Sequence, residues 1–198
     1  MRELPWRSTN DAFAVLVAGL MLRRTRAEQV VPIFRRFMEL FPDPFSLANA
    51  SDAEVERTVR SLGLSWRTPA FKQMARALVE RHGGRVPDSY DGLIELPGVG
   101  DYVAAAVLVF AFGQQRLISD TNTARVACRY FGYAYGPESR RNAQVRKATE
   151  LLVDPLDPAK SAGALLDFAT FVCRARAPRC DECPFHSGCD YANKQEAA

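Results

Sequence analysis

The stretch Leu96-Pro97-Gly98-Val99-Gly100 decides the fold. It stands between a short helical segment, Asp91 to Glu95, and an Ala- and Val-rich helix from Asp101 to Phe112; Ser119-Asp120-Thr121-Asn122 then opens a third. Pro97 cannot continue a helix, and the two glycines permit tight turning with the backbone close to a ligand. The pattern is a helix-hairpin-helix whose turn points backbone N–H groups outward at a helix N-terminus, where anions bind, phosphate above all. Taken alone, the same five residues also fit a joint in any α-bundle.

Outward from the hairpin the pattern stays helical. Ser8 and Asn10 are candidate N-caps for an apolar helix from about Asp11 to Leu22. A basic knot, Arg23-Arg24-Thr25-Arg26, leads to a helix over Glu28 to Phe41, and Phe41-Pro42-Asp43-Pro44 makes a loop. Ser51-Asp52-Ala53-Glu54 forms a capping box before a helix ending near Leu62. After the connection Gly63-Leu64-Ser65-Trp66-Arg67, in which Leu64 and Trp66 read as core residues by default, an amphipathic helix runs from Thr68 to Arg81. Helices over about Thr121–Tyr130, Asn142–Leu152 and Pro158–Val172 precede a cysteine-rich loop. No strand pattern, repeat or low-complexity tract interrupts them, so the fold class is all-α.

The 198 residues suffice for one or two domains with a real core, and 47% hydrophobic with 25% charged content fits a soluble globular protein. No apolar run reaches membrane length and the N-terminus carries no signal-peptide core, which points to the cytoplasm. A net charge of +3 is a weak pointer to nucleic acid. Five cysteines in such a chain argue for a metal or cluster rather than disulfides. Cys128 sits alone in a helical pattern as a small buried hydrophobe. The other four follow Cys173-x6-Cys180-x2-Cys183-x5-Cys189, and thiolates at short fixed spacing bind soft metals. Four-cysteine zinc sites are usually built from two C-x2-C pairs, whereas only one is present here.

The hairpin, an Asp 20 residues beyond Gly100 and the four-cysteine spacing together resemble the helix-hairpin-helix DNA glycosylase superfamily, over nearly the whole chain from Pro5 to Tyr191. The superfamily includes endonuclease III, the adenine-mismatch glycosylases and the thymine-mismatch glycosylases. The resemblance implies a two-lobed fold: a helical barrel over residues 23–113, and a second lobe of residues 1–22 with 114–198 that carries the cluster. It implies a [4Fe–4S] cluster on Cys173, Cys180, Cys183 and Cys189, a monovalent cation at the hairpin, and double-stranded DNA with a damaged or mismatched base as partner of a monomer. Arg24 would plug the gap left by an extruded nucleotide and Leu64 would wedge between bases. Leu96, Gly98, Val99 and Gly100 would bind DNA at the hairpin, and Arg174, Arg176 and Arg179 lie where they could reach phosphates.

Asp120 has an ordinary role as N-cap of the helix at Thr121. The resemblance adds a second, as the catalytic carboxylate that stabilises positive charge on the sugar while the base departs. Bifunctional relatives carry Lys at the second position after the hairpin, whose amine forms a Schiff base. Tyr102 stands there, as in the thymine-mismatch glycosylases, and a phenol forms no imine. Two departures count: Gly19 occupies the position of a family Glu that serves as an acid for adenine, and Asp101 replaces a residue that is basic in many relatives.

These residues imply a monofunctional base-excision glycosylase that removes thymine or uracil mispaired with guanine. The alternatives are the same scaffold acting on hypoxanthine, an oxidised pyrimidine or adenine, a bifunctional lyase using a different lysine, a non-catalytic DNA-binding module, and a zinc-binding helical regulator.

Overall fold

The computed structural model describes residues 2–23, 25–63 and 68–196. The expected positions Arg24, Leu64 and Trp66 lie outside the described residues. The elements are α1 (Ala12–Met21), α2 (Ala27–Leu40), α3 (Pro44–Asn49), α4 (Asp52–Val59), α5 (Thr68–His82), α6 (Tyr90–Ile94), α7 (Asp101–Phe110), α8 (Thr121–Phe131), α9 (Ala143–Glu150), α10 (Pro158–Phe171) and α11 (Asp190–Glu196), joined by short 3-10 turns. Among the described residues there is no strand, as the periodicity predicts, and no helix is long and apolar enough to cross a membrane.

The chain divides into two compact units, Glu3–Gln114 and Arg2 with the chain from Gln115. The expected division therefore moves at its N-terminal end: residues 3–22 belong with α2–α7, not with the C-terminal lobe. The reason is the composition of α1. Every residue from Phe13 to Met21 is buried, so the helix has no solvated face and must be enclosed, packing on α2 and α7. Its cap is Asp11 rather than Ser8 or Asn10; the carboxylate accepts from the Phe13 and Ala14 N–H groups at 2.9 and 3.3 Å.

The expected loop at Phe41–Pro44 is in part a helix start. Pro44 takes the first position of α3, where its missing N–H costs nothing, and Asp43 and Ser46 cap each other reciprocally. Helix α3 packs on α5, and the buried Lys72 of α5 donates to the carbonyls of Ala48, at 2.9 Å, and Ala50 at the end of α3. In the second unit α8 is the central element, with α9, α10 and α11 packed around it. Cys128 is buried there as expected, its thiol donating to the Ala134 carbonyl at 3.7 Å.

Candidate active site and cysteine loop

The hairpin is built as its sequence requires. Gly98 turns with φ +80°, and a Cβ there would stand 3.1 Å from Ala70 Cβ. Leu96 and Val99 turn their side chains into the core, and the Val99 N–H bonds the Leu96 carbonyl at 3.0 Å. What the turn offers a ligand is therefore backbone: neither the Gly98 nor the Gly100 N–H meets an acceptor among the described residues, and Gly100 begins α7 without a side-chain cap. Arg23 reaches the turn from the basic knot and donates to the Gly98 carbonyl at 3.3 Å. Asp101 is exposed at the first position of α7, where the Tyr90 hydroxyl donates to its carboxylate at 2.7 Å. Tyr102, one position on, is half-buried against the core of this unit.

Gly19 is buried in α1 beside α7. A Cβ there would lie 2.9 Å from Val103 Cγ1, so the Val103 side chain would have to give way to any side chain at this position.

Asp120 belongs to the other unit. It caps α8 with one carboxylate oxygen, Oδ1, which accepts from the Asn122 and Thr123 N–H groups, both at 2.8 Å. Oδ2 accepts from the Asn122 side-chain amide at 3.0 Å, and the Thr123 hydroxyl accepts from the Asp120 N–H at 3.0 Å to close a capping box. These bonds leave the carboxylate half-buried and fixed in direction.

The same network runs on to a residue that the pattern of apolar positions does not single out. Arg125 is only 4% exposed. Its guanidinium donates to Asn122 Oδ1 at 2.9 Å, to the Ala169 carbonyl at 2.7 Å and twice to the Cys173 carbonyl at 3.0 and 3.1 Å. Asp120 is thus tied through Asn122 and Arg125 to the first cysteine of the loop. The one sequence signal is an arginine three residues after Asn122 on the same helical face.

All four loop cysteines are half-buried and line one cavity of about 570 Å³. Burial pushes the Cys180 thiol up, and the neighbouring thiols of Cys189, Cys173 and Cys183 push it the same way, with Arg129 opposing them. The Arg129 guanidinium stands 3.5 Å from Cys173 Sγ, donates to the Arg174 carbonyl at 2.6 Å and lies 4.7 Å from the centre of the Tyr191 ring. Among the described residues no three His, Cys, Asp or Glu side chains are gathered closely enough to hold a metal ion. Of the loop arginines, Arg174 is engaged with the Ala177 carbonyl at 2.9 Å and Arg179 with Glu182 at 3.3 Å, while Arg176 is exposed and meets no acceptor among the described residues.

Comparison with known proteins shows the family. The chain is 38% identical over 196 residues to the thymine-DNA glycosylase of Aeropyrum pernix, covering 97% of this chain and 88% of that one. It is 39% identical over 202 residues to the thymine/uracil-DNA glycosylase of Pyrobaculum aerophilum, covering 98% and 87%. A solved structure of a thermostable thymine-DNA glycosylase superposes with a TM-score of 0.91 at 32% identity, covering 98% of this chain and 89% of its own. Residues 17–153 match the family model described as HhH-GPD superfamily base excision DNA repair protein, and the chain belongs to that family.

Proposed function

We propose that this protein is a monofunctional DNA glycosylase of base excision repair that extrudes thymine or uracil mispaired with guanine and hydrolyses its N-glycosidic bond. The observation that carries the reading is the Asp120 carboxylate, held by three N–H donors at the start of α8. A fixed carboxylate stabilises the oxocarbenium-like sugar without reorganising as charge develops, and it orients the attacking water. Extruding the base precedes this step, and a weak mispair lowers its cost. The hairpin, with the free N–H groups of Gly98 and Gly100, would hold a phosphate of the double-stranded partner, with or without a monovalent cation on its carbonyls; Arg24 and Leu64 would fill the vacated stack.

Product chemistry follows from the lysines. Lys72 is the one lysine between residues 3 and 114, and its amine is buried on two carbonyls, unable to form an imine. Tyr102 beside the hairpin shapes the pocket without attacking the sugar. Gly19 supplies no acid and Val103 crowds its place, which disfavours adenine, a leaving group that needs a proton.

The cysteine loop supports a [4Fe–4S] cluster on Cys173, Cys180, Cys183 and Cys189. Such a cluster takes one thiolate at each of four irons, so its ligands ring a cavity instead of converging on one ion, and the Arg129 guanidinium beside Cys173 suits its negative charge. Bound there, it would position the loop and carry no step of base hydrolysis.

The test is a single-turnover assay on end-labelled duplexes bearing G:T, G:U, A:U, G:A, hypoxanthine or thymine glycol, with and without alkali. Alkali-dependent cleavage confined to G:T and G:U is the expected result. Cleavage without alkali would show lyase chemistry and overturn the role given to Tyr102. Binding without cleavage on every duplex would leave a non-catalytic module.

A further inference from the structure

The loop after α8 is fastened to the catalytic turn at two points. The Ser119 hydroxyl donates to the Arg140 carbonyl at 2.9 Å, and the Tyr135 hydroxyl donates to the Thr121 carbonyl at 3.3 Å. The residues immediately before and after Asp120 therefore each hold one end of the segment 135–140. Between those ends the segment is closed on itself: the buried Ser139 accepts from the Gly136 N–H at 2.8 Å, and its own N–H bonds the Gly136 carbonyl at 3.1 Å. The chain then turns through Ser139–Arg141, and Asn142 caps α9.

Charge along this segment is unevenly spent. Glu138 and Arg141 neutralise each other at 2.9 Å. Arg140 is exposed, and its guanidinium meets no acceptor among the described residues. Arg140 is thus tied through its backbone carbonyl to the residue preceding the carboxylate. Phosphates of a strand entering the site are repelled by Asp120, and a guanidinium anchored here offsets that repulsion through a fork that matches phosphate oxygens.

We propose that Arg140 is a DNA-binding residue that contacts a backbone phosphate of the strand carrying the target nucleotide, with Ser119 as the residue that positions it. The inference rests on the glycosylase reading of Asp120. Its test is independent of that reading, because the probe is an undamaged fluorescein-labelled duplex and the readout is binding.

Anisotropy titrations over a range of salt concentrations compare the wild-type protein with Arg140→Ala and Arg140→Lys. Removing a single arginine–phosphate interaction lowers the slope of log K against log salt by about 0.9 and weakens binding alike on undamaged and G:U duplexes. Arg140→Ala is expected to show both changes, and Arg140→Lys to keep the slope with part of the affinity. Unaltered affinity and slope in Arg140→Ala would overturn the proposal. So would a fall in the saturating rate at constant affinity, which would place Arg140 in support of Asp120 instead. Loss of excision in Asp120→Asn is read separately and tests the glycosylase assignment alone.

Discussion

The two units are held together by different means. Among the described residues the largest fully buried side chains, Phe37, Phe71, Leu16 and Leu108 among them, all lie between residues 3 and 114. There α1 and α7 bury apolar residues on nearly every side, and the hairpin is a turn set on a packed core. From Gln115 onward the buried apolar residues are mostly small, such as Ala124, Ala127, Ala148 and Ala169. Buried polar groups take a larger share: Arg125, Thr123, Ser139, Thr149 and Asp167, the last paired with Arg2 at 2.8 Å. In the first unit the groups that stabilise the fold are separate from those that would touch DNA. In the second, the network that orders α8, α10 and the cysteine loop is the one that orients Asp120.

The largest effect expected is that of Asp120→Asn. Asparagine caps a helix about as well as aspartate, so unfolding by urea should scarcely move. Excision should fall by on the order of 10³-fold, the scale of losing a preorganised electrostatic interaction, with duplex binding retained. A comparable loss of stability in this variant would break the comparison, because cap and catalyst would then be inseparable.

Leu108→Ala probes the other side. Leu108 is fully buried in α7, and its truncation should cost about 3 kcal/mol in a urea titration. The single-turnover rate, measured well below the melting range, should be unchanged. A selective loss of rate would show that the packing of α7 reaches the chemistry.

Arg125→Met should lower both quantities together. It removes the donors of the Ala169 and Cys173 carbonyls, a loss of about 2 kcal/mol, and releases Asn122 from one of its two partners. The saturating excision rate should drop while duplex affinity holds, and if the proposed cluster is bound, its brown colour should fade faster on storage. Stability lost with the rate intact would make Arg125 purely structural.

How much of this is legible in the sequence follows the same divide. Local chemistry is plain: the Pro97 and Gly98 turn, the Ser51 and Asp120 caps, and the helical spans that follow them are dictated by residues within a few positions. The α3 start escapes a reading of Phe41-Pro42-Asp43-Pro44 as a loop, because proline serves equally at a first helical turn. Placing residues 3–22 in the C-terminal lobe rests on resemblance, and it gives way to the fact that α1 has no polar face. Arg125 is hidden for a deeper reason. Its partners are carbonyls 44 and 48 residues away, and no local pattern distinguishes an arginine that solvates a helix face from one that spans a core.

The capping boxes of α4 and α8 have opposite polarity, and the contrast supplies the finest test. In α4 the cap is the Ser51 hydroxyl and the carboxylate of Glu54 reaches back to it; in α8 the carboxylate of Asp120 is the cap and the Thr123 hydroxyl reaches back. Glu54 is exposed, and the side-chain and backbone hydrogen bonds from Ser51 hold its carboxyl below the ordinary value of 4.5. A lowered folded-state value means a contribution to stability that is complete above 4.5 and disappears as pH falls through the folded-state value. Glu54→Gln keeps an acceptor for the Ser51 N–H but no charge, so it should be slightly less stable than wild type at about pH 7. That difference should vanish well below pH 4.5, where Glu54 is protonated. Because the α4 cap shares no hydrogen bond with Asp120 among the described residues, the excision rate should not follow it at any pH. Equal urea midpoints at neutral pH would mean that solvent screens the α4 charge completely, leaving a carboxylate cap that matters only where, as at Asp120, it is half-buried and tied into a network.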